Sequence, residues 1–289
     1  MPKETFNLPE YFALHSYLSA LLCGAFVLLP RSTPWFLGDE AIQSSSTDRP
    51  EYAFLTPLTA RPLITMVWDI SGMLLCMSWW GSIMRRWSQV STKRTAVTVA
   101  NEEEMTKRSN RDRQMLNRIG ECASATAAGS ALLFVLITTL GAPLDSNHLH
   151  TALLSIHIAI LTVWPTVHAL GIPSIYDSGT YARFRMTRLF CEFRPETPLE
   201  RALVYPVIGT LVGAWCGAVP IPLDWDRPWQ SYPLTPTVAS ILGFIAGGFV
   251  SWLHSALIDT ADEVLLQQKQ KQSLDAAVTK KKKKAMKRT

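Results

Sequence analysis

Six long apolar runs constrain this chain more than any other feature. They extend approximately over residues 12–30, 62–84, 119–140, 150–172, 202–219 and 235–258, and none of them contains Lys or Arg. A helix needs about 20 mostly apolar residues to cross a hydrocarbon core of roughly 30 Å. Each run is close to that length, and water-exposed helices normally carry a polar face that these runs lack. Only Asp69 and Glu121 bring acids into them. Charged residues make up 18% of the chain, against roughly 25% in soluble domains, and they are segregated from the apolar runs. The predicted fold class is therefore all-α, a polytopic membrane protein with about six transmembrane helices. Hydrophobic content of 48% excludes a disordered chain, and five cysteines spread over 289 residues exclude a small disulfide scaffold.

The loops set the expected orientation. Nine basic residues lie between Arg85 and Arg118, and nine more lie in the tail after residue 258. Arg183, Arg185, Arg188, Arg194 and Arg201 lie between spans four and five, and Lys3 precedes span one. The alternate loops hold only Arg31, Arg49, Arg61 and Arg227. Basic residues favour the cytosolic side, so both termini are expected to be cytosolic. The predicted organisation is a six-helix transmembrane domain over residues 1–258, followed by a basic cytosolic tail, 259–289. Its cytosolic loops are 85–118 and 173–201, and its luminal loops are 31–61, 141–149 and 220–234. The first run lacks a basic leader and a small-x-small cleavage site, which predicts a retained span. Cys23, Cys76, Cys122 and Cys216 fall within spans and Cys191 within a basic loop, where buried small hydrophobes or free thiols are expected.

Within residues 85–118, Asn101 and Glu104 have capping-box spacing, and Glu103 and Glu104 precede Lys107 and Arg108 by four residues. This predicts either a docking helix for a cytosolic partner or, preferably, a solvated extension of span three. The Lys280–Lys284 run can attract anionic lipid or act as a flexible tail enforcing orientation. Six spans remove any case for a nucleic-acid partner.

Chemistry-bearing residues are sparse. His148, His150 and His157 gather near the start of span four and His168 near its end, without a third ligand at metal spacing. Asp69 is an intramembrane acid, hence either a functional group or a buried hydrogen-bond anchor, to Ser71 or another span. Asp224 and Asp226 sit two apart beside Arg227, between Trp225 and Trp229. That mixture reads better as an interfacial belt, where indoles favour the headgroup layer, than as paired acids for a metal or acid–base work. No phosphate-binding glycine loop, nucleophile elbow or zinc-protease motif is present, and no cofactor is implied.

Small residues are more informative. Gly209, Gly213 and Gly217 recur every four residues in span five, and Ala239, Gly243, Gly247 and Ser251 repeat that spacing in span six. A further small cluster runs from Ala123 to Ala131 in span three. Such faces let helix backbones approach closely, either within one chain or against a partner helix.

The stretch Gly213-Ala214-Trp215-Cys216-Gly217-Ala218-Val219-Pro220-Ile221-Pro222-Leu223-Asp224-Trp225-Asp226-Arg227-Pro228-Trp229-Gln230 strongly resembles the PIG-F family of glycosylphosphatidylinositol (GPI) anchor biosynthesis proteins. The Gly141-Ala142-Pro143-Leu144 turn and the Gly-rich span after Tyr232-Pro233 are similar to that family as well. Residues 130–255 carry the resemblance, and spans one and two fit only in hydrophobic outline. The segments Tyr181-Ala182-Arg183-Phe184-Arg185 and Ala202-Leu203-Val204-Tyr205-Pro206 look like the fungal branch. The resemblance implies a multi-pass endoplasmic reticulum protein. It would be a non-catalytic subunit binding and stabilising GPI ethanolamine phosphate transferases of the PIG-O and PIG-G type, which add phosphoethanolamine to mannose of the GPI precursor. Membrane lipids are the other implied partners.

On that reading, Asp224, Trp225, Asp226, Arg227, Pro228 and Trp229 form the candidate partner or lipid interface. Gly209, Gly213, Gly217, Gly243 and Gly247 serve helix packing, and Asp69 and His157 are the intramembrane polar residues singled out. Pro220 and Pro222 are expected to end span five. Two alternatives stay open: a lipid phosphotransferase using Asp224 and Asp226, and a lipid transporter or scramblase with Asp69 and His157 along a polar path.

Overall fold

The computed structural model describes residues 6–38, 52, 54–95, 107–143, 146–173, 180–223, 225 and 227–286. Among them every regular element is helical. In chain order the α-helices are α1 Leu8–Leu28, α2 Thr33–Leu37, α3 Thr56–Thr59, α4 Pro62–Thr95, α5 Lys107–Thr139, α6 His148–Leu170, α7 Thr180–Met186, α8 Pro198–Ala218 and α9 Leu234–Met286. Six helical segments are long and apolar enough to cross a membrane, built on α1, α4, α5, α6, α8 and α9. Six crossings put the start of α1 and the end of α9 on one side, here the tail side; the other is the loop side.

Local chemistry sets the helix ends. α8 opens with Pro198 in its first turn and a capping box, in which Thr197 accepts from the Glu200 amide and the Glu200 side chain reaches back to the Thr197 amide. α6 ends at Gly171, whose φ of 90° lies in the left-handed region that glycine tolerates. α8 stops at Ala218, two residues before Pro220.

α6 is the central helix. Its spanning window is 72% buried, against 11% for α5, which packs chiefly against α6 at the edge of the bundle. In α4 the stripe Met66, Met73, Met77, Trp80 and Met84 follows a helical period, and every member is at most 1% exposed. Tyr11, Leu18 and Leu22 of α1 complete this core. Lipid surrounds the outer faces, so dispersion contacts and hydrogen bonds hold these helices together rather than hydrophobic exclusion. α1 docks on α9 at Gly248. Tyr11 donates to the Gly248 carbonyl at 3.1 Å, His15 Nε2 bonds the Ile245 carbonyl at 3.0 Å, and a Cβ on Gly248 would strike the His15 ring.

Two helices run on past their apolar spans. α9 does not stop near Ile258 but continues to Met286 as one helix of 53 residues, about 80 Å long at 1.5 Å per residue. The segment after Ile258 lacks Gly and Pro and is rich in Ala, Leu, Gln and Lys, so helix propensity carries it on after the hydropathy ends. Residues 259–276 are exposed all round. α5 begins at Lys107 and runs unbroken into span three, which agrees with the preferred reading of an extension of that span; Asn101, Glu103 and Glu104 lie outside the described residues.

Arg201 is not a loop residue. It sits in the first turn of α8, 4% exposed, donating to Ser255 Oγ at 2.8 Å and to the Glu196 carbonyl at 3.1 Å. Beside it Glu200, 2% exposed, receives Arg185 at 2.8 Å and Arg188 at 2.5 Å. Burial works against the Arg188 charge, but Glu196 and Glu200 outweigh it and hold that guanidinium above its ordinary pKa. This cluster fastens α7 and the following π-helical turn, Thr187–Cys191, to α8 on the tail side.

Candidate functional site

The residues singled out in the sequence fall into three places. The first is the loop between α8 and α9. Asp224 and Asp226 lie outside the described residues. Trp225 is 51% exposed and tilts against Trp229 with ring centroids 5.8 Å apart. Pro228 opens a short 3-10 turn, Pro228–Gln230, which starts from an exposed Arg227. Gln230 pins the loop from beneath. Its Nε2 donates to the Pro220 and Leu223 carbonyls at 2.8 and 3.0 Å, and its Oε1 accepts from the Arg227 amide at 2.8 Å. One side chain thus satisfies three backbone groups that a loop leaving a helix would otherwise present unpaired. Tyr232 adds a second tie through Thr151 Oγ1 at 3.0 Å. Burial raises the Tyr232 pKa, and the Thr151 hydrogen bond partly opposes this. Below the loop, Phe26, Leu58, Gly217, Trp229, Leu234 and Leu242 help line an apolar cleft of about 420 Å³. The loop therefore offers two indoles and a guanidinium at one membrane boundary, above an apolar recess.

The second place is the seam between α8 and α9. A Cβ on Gly209 would strike the Gly243 carbonyl, one on Gly213 the Ala239 carbonyl, and one on Gly217 the Thr235 carbonyl at 2.6 Å. The reverse contacts hold for Gly243 against Gly209 and Gly247 against Tyr205. The five glycines thus meet across one backbone-to-backbone interface.

The third place is inside the bundle. Asp69 of α4 and His157 of α6 are both 0% exposed, with Oδ2 and Nδ1 2.5 Å apart. His157 Nε2 lies 2.9 Å from Ser240 Oγ of α9, and Ser240 donates its own proton to the Thr237 carbonyl at 2.7 Å. Ser71, the partner considered in the sequence, instead donates to the Val67 carbonyl at 2.8 Å.

The order Asp–His–Ser echoes a nucleophilic triad, but the hydrogen-bond polarity is reversed. A catalytic serine donates to the imidazole. Here Ser240 donates to the Thr237 carbonyl, which leaves its oxygen to accept from Nε2 in the tautomer that carries a hydrogen there. All three side chains are fully buried. The arrangement therefore clamps α4, α6 and α9 together and gives no substrate a route to the serine. Asp69 Oδ1 has no partner, which leaves the clamp incompletely satisfied.

Ser240 and Gln230 carry these sites but were not assigned those roles from sequence. A serine within an apolar run has no signal of its own, and Gln230 was legible only as part of the long motif. Glu200 could have been found, because Thr197-Pro198-Leu199-Glu200 has capping-box spacing. Among the described residues, no three His, Cys, Asp or Glu side chains come together as a metal site.

Residues 50–252 match the model of the GPI biosynthesis protein family Pig-F. The chain belongs to the PIG-F family. The match takes in span two, beyond the 130–255 resemblance read from the motifs, and includes the clamp, the glycine seam and the loop. The chain is 35% identical over 135 residues to "Glycosylphosphatidylinositol anchor biosynthesis protein 11" of Aspergillus fumigatus, covering 46% of this chain and 41% of that protein. It is 30% identical over 141 residues to the mouse "GPI ethanolamine phosphate transferase, stabilizing subunit", covering 48% and 60%. The human protein of that name is 34% identical over 122 residues, covering 42% and 52%. The chain thus spans about half the length of the curated relatives it matches. No solved structure matches it.

Proposed function

We propose that this chain is a non-catalytic membrane subunit that binds and stabilises a GPI ethanolamine phosphate transferase in the endoplasmic reticulum. Family membership over residues 50–252, with mouse and human relatives named as stabilizing subunits of that enzyme, carries the reading. The geometry supports it in two ways. The intramembrane Asp–His–Ser set is a sealed clamp, not an accessible reaction centre. In the loop between α8 and α9, Trp225 and Arg227 are exposed, and in this reading they lie at a membrane boundary where they can meet another protein or lipid headgroups. The partner is a catalytic subunit of the PIG-O or PIG-G type, which this chain holds in a stable form while phosphoethanolamine is added to a mannose of the GPI precursor.

The loop is the proposed contact. Its guanidinium can form charge-assisted hydrogen bonds, and its indoles fix its depth. Arg227→Ala is expected to weaken co-purification of the transferase in mild detergent while this chain remains in the membrane at normal abundance. An intact complex with abolished phosphoethanolamine transfer would overturn the contact role and favour direct lipid handling or catalysis by the loop.

In this reading the tail side is cytosolic and the loop side luminal. Glycosylation acceptors inserted near Ser44 should be modified, and acceptors near Thr106 should not. The reverse pattern would invert the topology and put the proposed contact on the wrong side for a luminal enzyme.

A further inference from the structure

The apolar cleft beneath the α8–α9 loop lies between α1, α3 and the seam of α8 with α9, with Pro220 and Trp229 at its loop end. On α9 its wall runs from Leu234 to Leu242, about 12 Å along the helix. Half of a hydrocarbon core is about 15 Å thick, so the cleft occupies the loop-side leaflet alone.

Its rim is charged. The loop-side segments of the chain hold only four basic residues, Arg31, Arg49, Arg61 and Arg227. Two of them stand beside this cleft. Arg227 is exposed, two residues before Trp229 of the cleft wall, and its guanidinium meets no acceptor among the described residues. Arg31 lies over the Phe54 ring, 4.1 Å from its centre, and donates to the Phe54 carbonyl at 2.6 Å, one residue before Leu55 of the same wall. The paired indoles of Trp225 and Trp229 belong at headgroup depth, which puts both guanidiniums where lipid phosphates lie.

Size and charge together choose the occupant. A polypeptide helix is about 10 Å across and over the same depth fills roughly twice the volume of the cleft, about 420 Å³. An acyl chain is slimmer, asks no hydrogen bond of the walls and ends within one leaflet. A phosphate on the same molecule brings an anion to the rim, where a guanidinium can donate two parallel N–H bonds to it. Asp224 and Asp226 flank Arg227 in the sequence, so a zwitterionic head suits the loop better than a net anionic one. We infer that this cleft holds one acyl chain of a zwitterionic phospholipid from the loop-side leaflet, with the lipid phosphate on Arg227. The inference goes beyond the accessory role and does not rest on it. A guanidinium has five N–H donors, enough to serve a lipid phosphate and a carboxylate of a partner protein together.

The test uses the full chain alone, purified in a mild non-ionic detergent. The probe is phosphatidylethanolamine with a diazirine at the end of one acyl chain. On illumination it should label Val238 and Leu242 of the cleft well above Leu211, an exposed residue about 10 Å inside the loop-side end of α8. Unlabelled phosphatidylethanolamine should compete. Arg227→Gln should lower cleft labelling about fivefold. Val238→Trp, which fills the cleft, should abolish it. Diacylglycerol with the same chain lacks the phosphate, so it should label weakly and ignore Arg227→Gln. A phosphatidylserine probe should label no better than phosphatidylethanolamine. Abundance and thermal stability of each variant separate a lost site from lost folding. Equal labelling of Leu211 and the cleft would reveal an unselective lipid coat and overturn the inference. Labelling that is unchanged by Arg227→Gln, or alike for phosphatidylethanolamine and diacylglycerol, would overturn it as well. Stronger labelling by phosphatidylserine would overturn the zwitterionic head. A photoreactive residue at position 238 that captures a co-expressed transferase subunit and no lipid would reassign the cleft to protein. The lipid-probe arms contain no transferase, so their failure leaves the accessory role standing.

Discussion

Gly213→Leu should collapse the amount of folded chain, while Leu211→Ala, two residues away, should leave it nearly unchanged. The difference is one of facing. A Cβ at position 213 already overlaps the Ala239 carbonyl, and the atom struck belongs to backbone, which cannot rotate aside. A leucine there must push α8 from α9 and break the neighbouring contacts of Gly209 and Gly217 as well. Overpacking typically costs 1–3 kcal/mol, and a backbone obstruction belongs at about 3 kcal/mol, roughly a hundredfold in the folding equilibrium. Leu211 is 43% exposed, and shortening it trades one lipid contact for another. Abundance and thermal stability of the two variants in detergent, at matched expression, check the expectation. Wild-type values for Gly213→Leu would mean that the close approach of α8 and α9 does not hold the bundle together.

His157→Leu is expected to be nearly as damaging, and its rescue is the informative part. Removing the imidazole strands the Asp69 carboxyl in a site with no exposure, where its other oxygen is already unpartnered. Breaking a buried pair from one side costs about 3–5 kcal/mol, whereas replacing both members by apolar residues is often close to neutral. Asp69→Leu combined with His157→Leu should therefore recover most of the stability lost in His157→Leu. If the pair is only a clamp, the double variant should also sustain normal transferase levels. A double variant that is folded and abundant, yet fails to support the transferase or lipid movement, would mean that Asp69 and His157 form a working polar path.

How far these sites were legible depended on the range of the interaction involved. The spans were readable because crossing a membrane demands a local property, about 20 apolar residues in a row. The last helix outruns its span because hydropathy changes at Ile258 whereas helix propensity does not; the two signals part company in the tail. Asp69 stood out as an acid within an apolar run and His157 as one of the histidines of span four, but their pairing joins residues 88 positions apart and follows only from the packing of α4 on α6. The glycine spacing was readable in both α8 and α9, yet spacing alone does not say which two helices meet. Ser240 was invisible for a different reason. A serine in a span usually bonds its own helix, as Ser240 does to Thr237, and nothing local marks it as an acceptor for a histidine on another helix.

The central claim is that this chain exists to keep a transferase stable, and transferase abundance after its removal tests that most directly. The chain should be depleted in its own cells, and the catalytic subunit of the GPI ethanolamine phosphate transferase quantified alongside the GPI precursors. The account predicts that the catalytic subunit falls several-fold, as expected for a membrane protein that has lost a stabilising partner and is cleared by quality control. GPI precursors lacking a later phosphoethanolamine should accumulate in parallel. An unchanged transferase level together with an unchanged precursor profile would contradict the account.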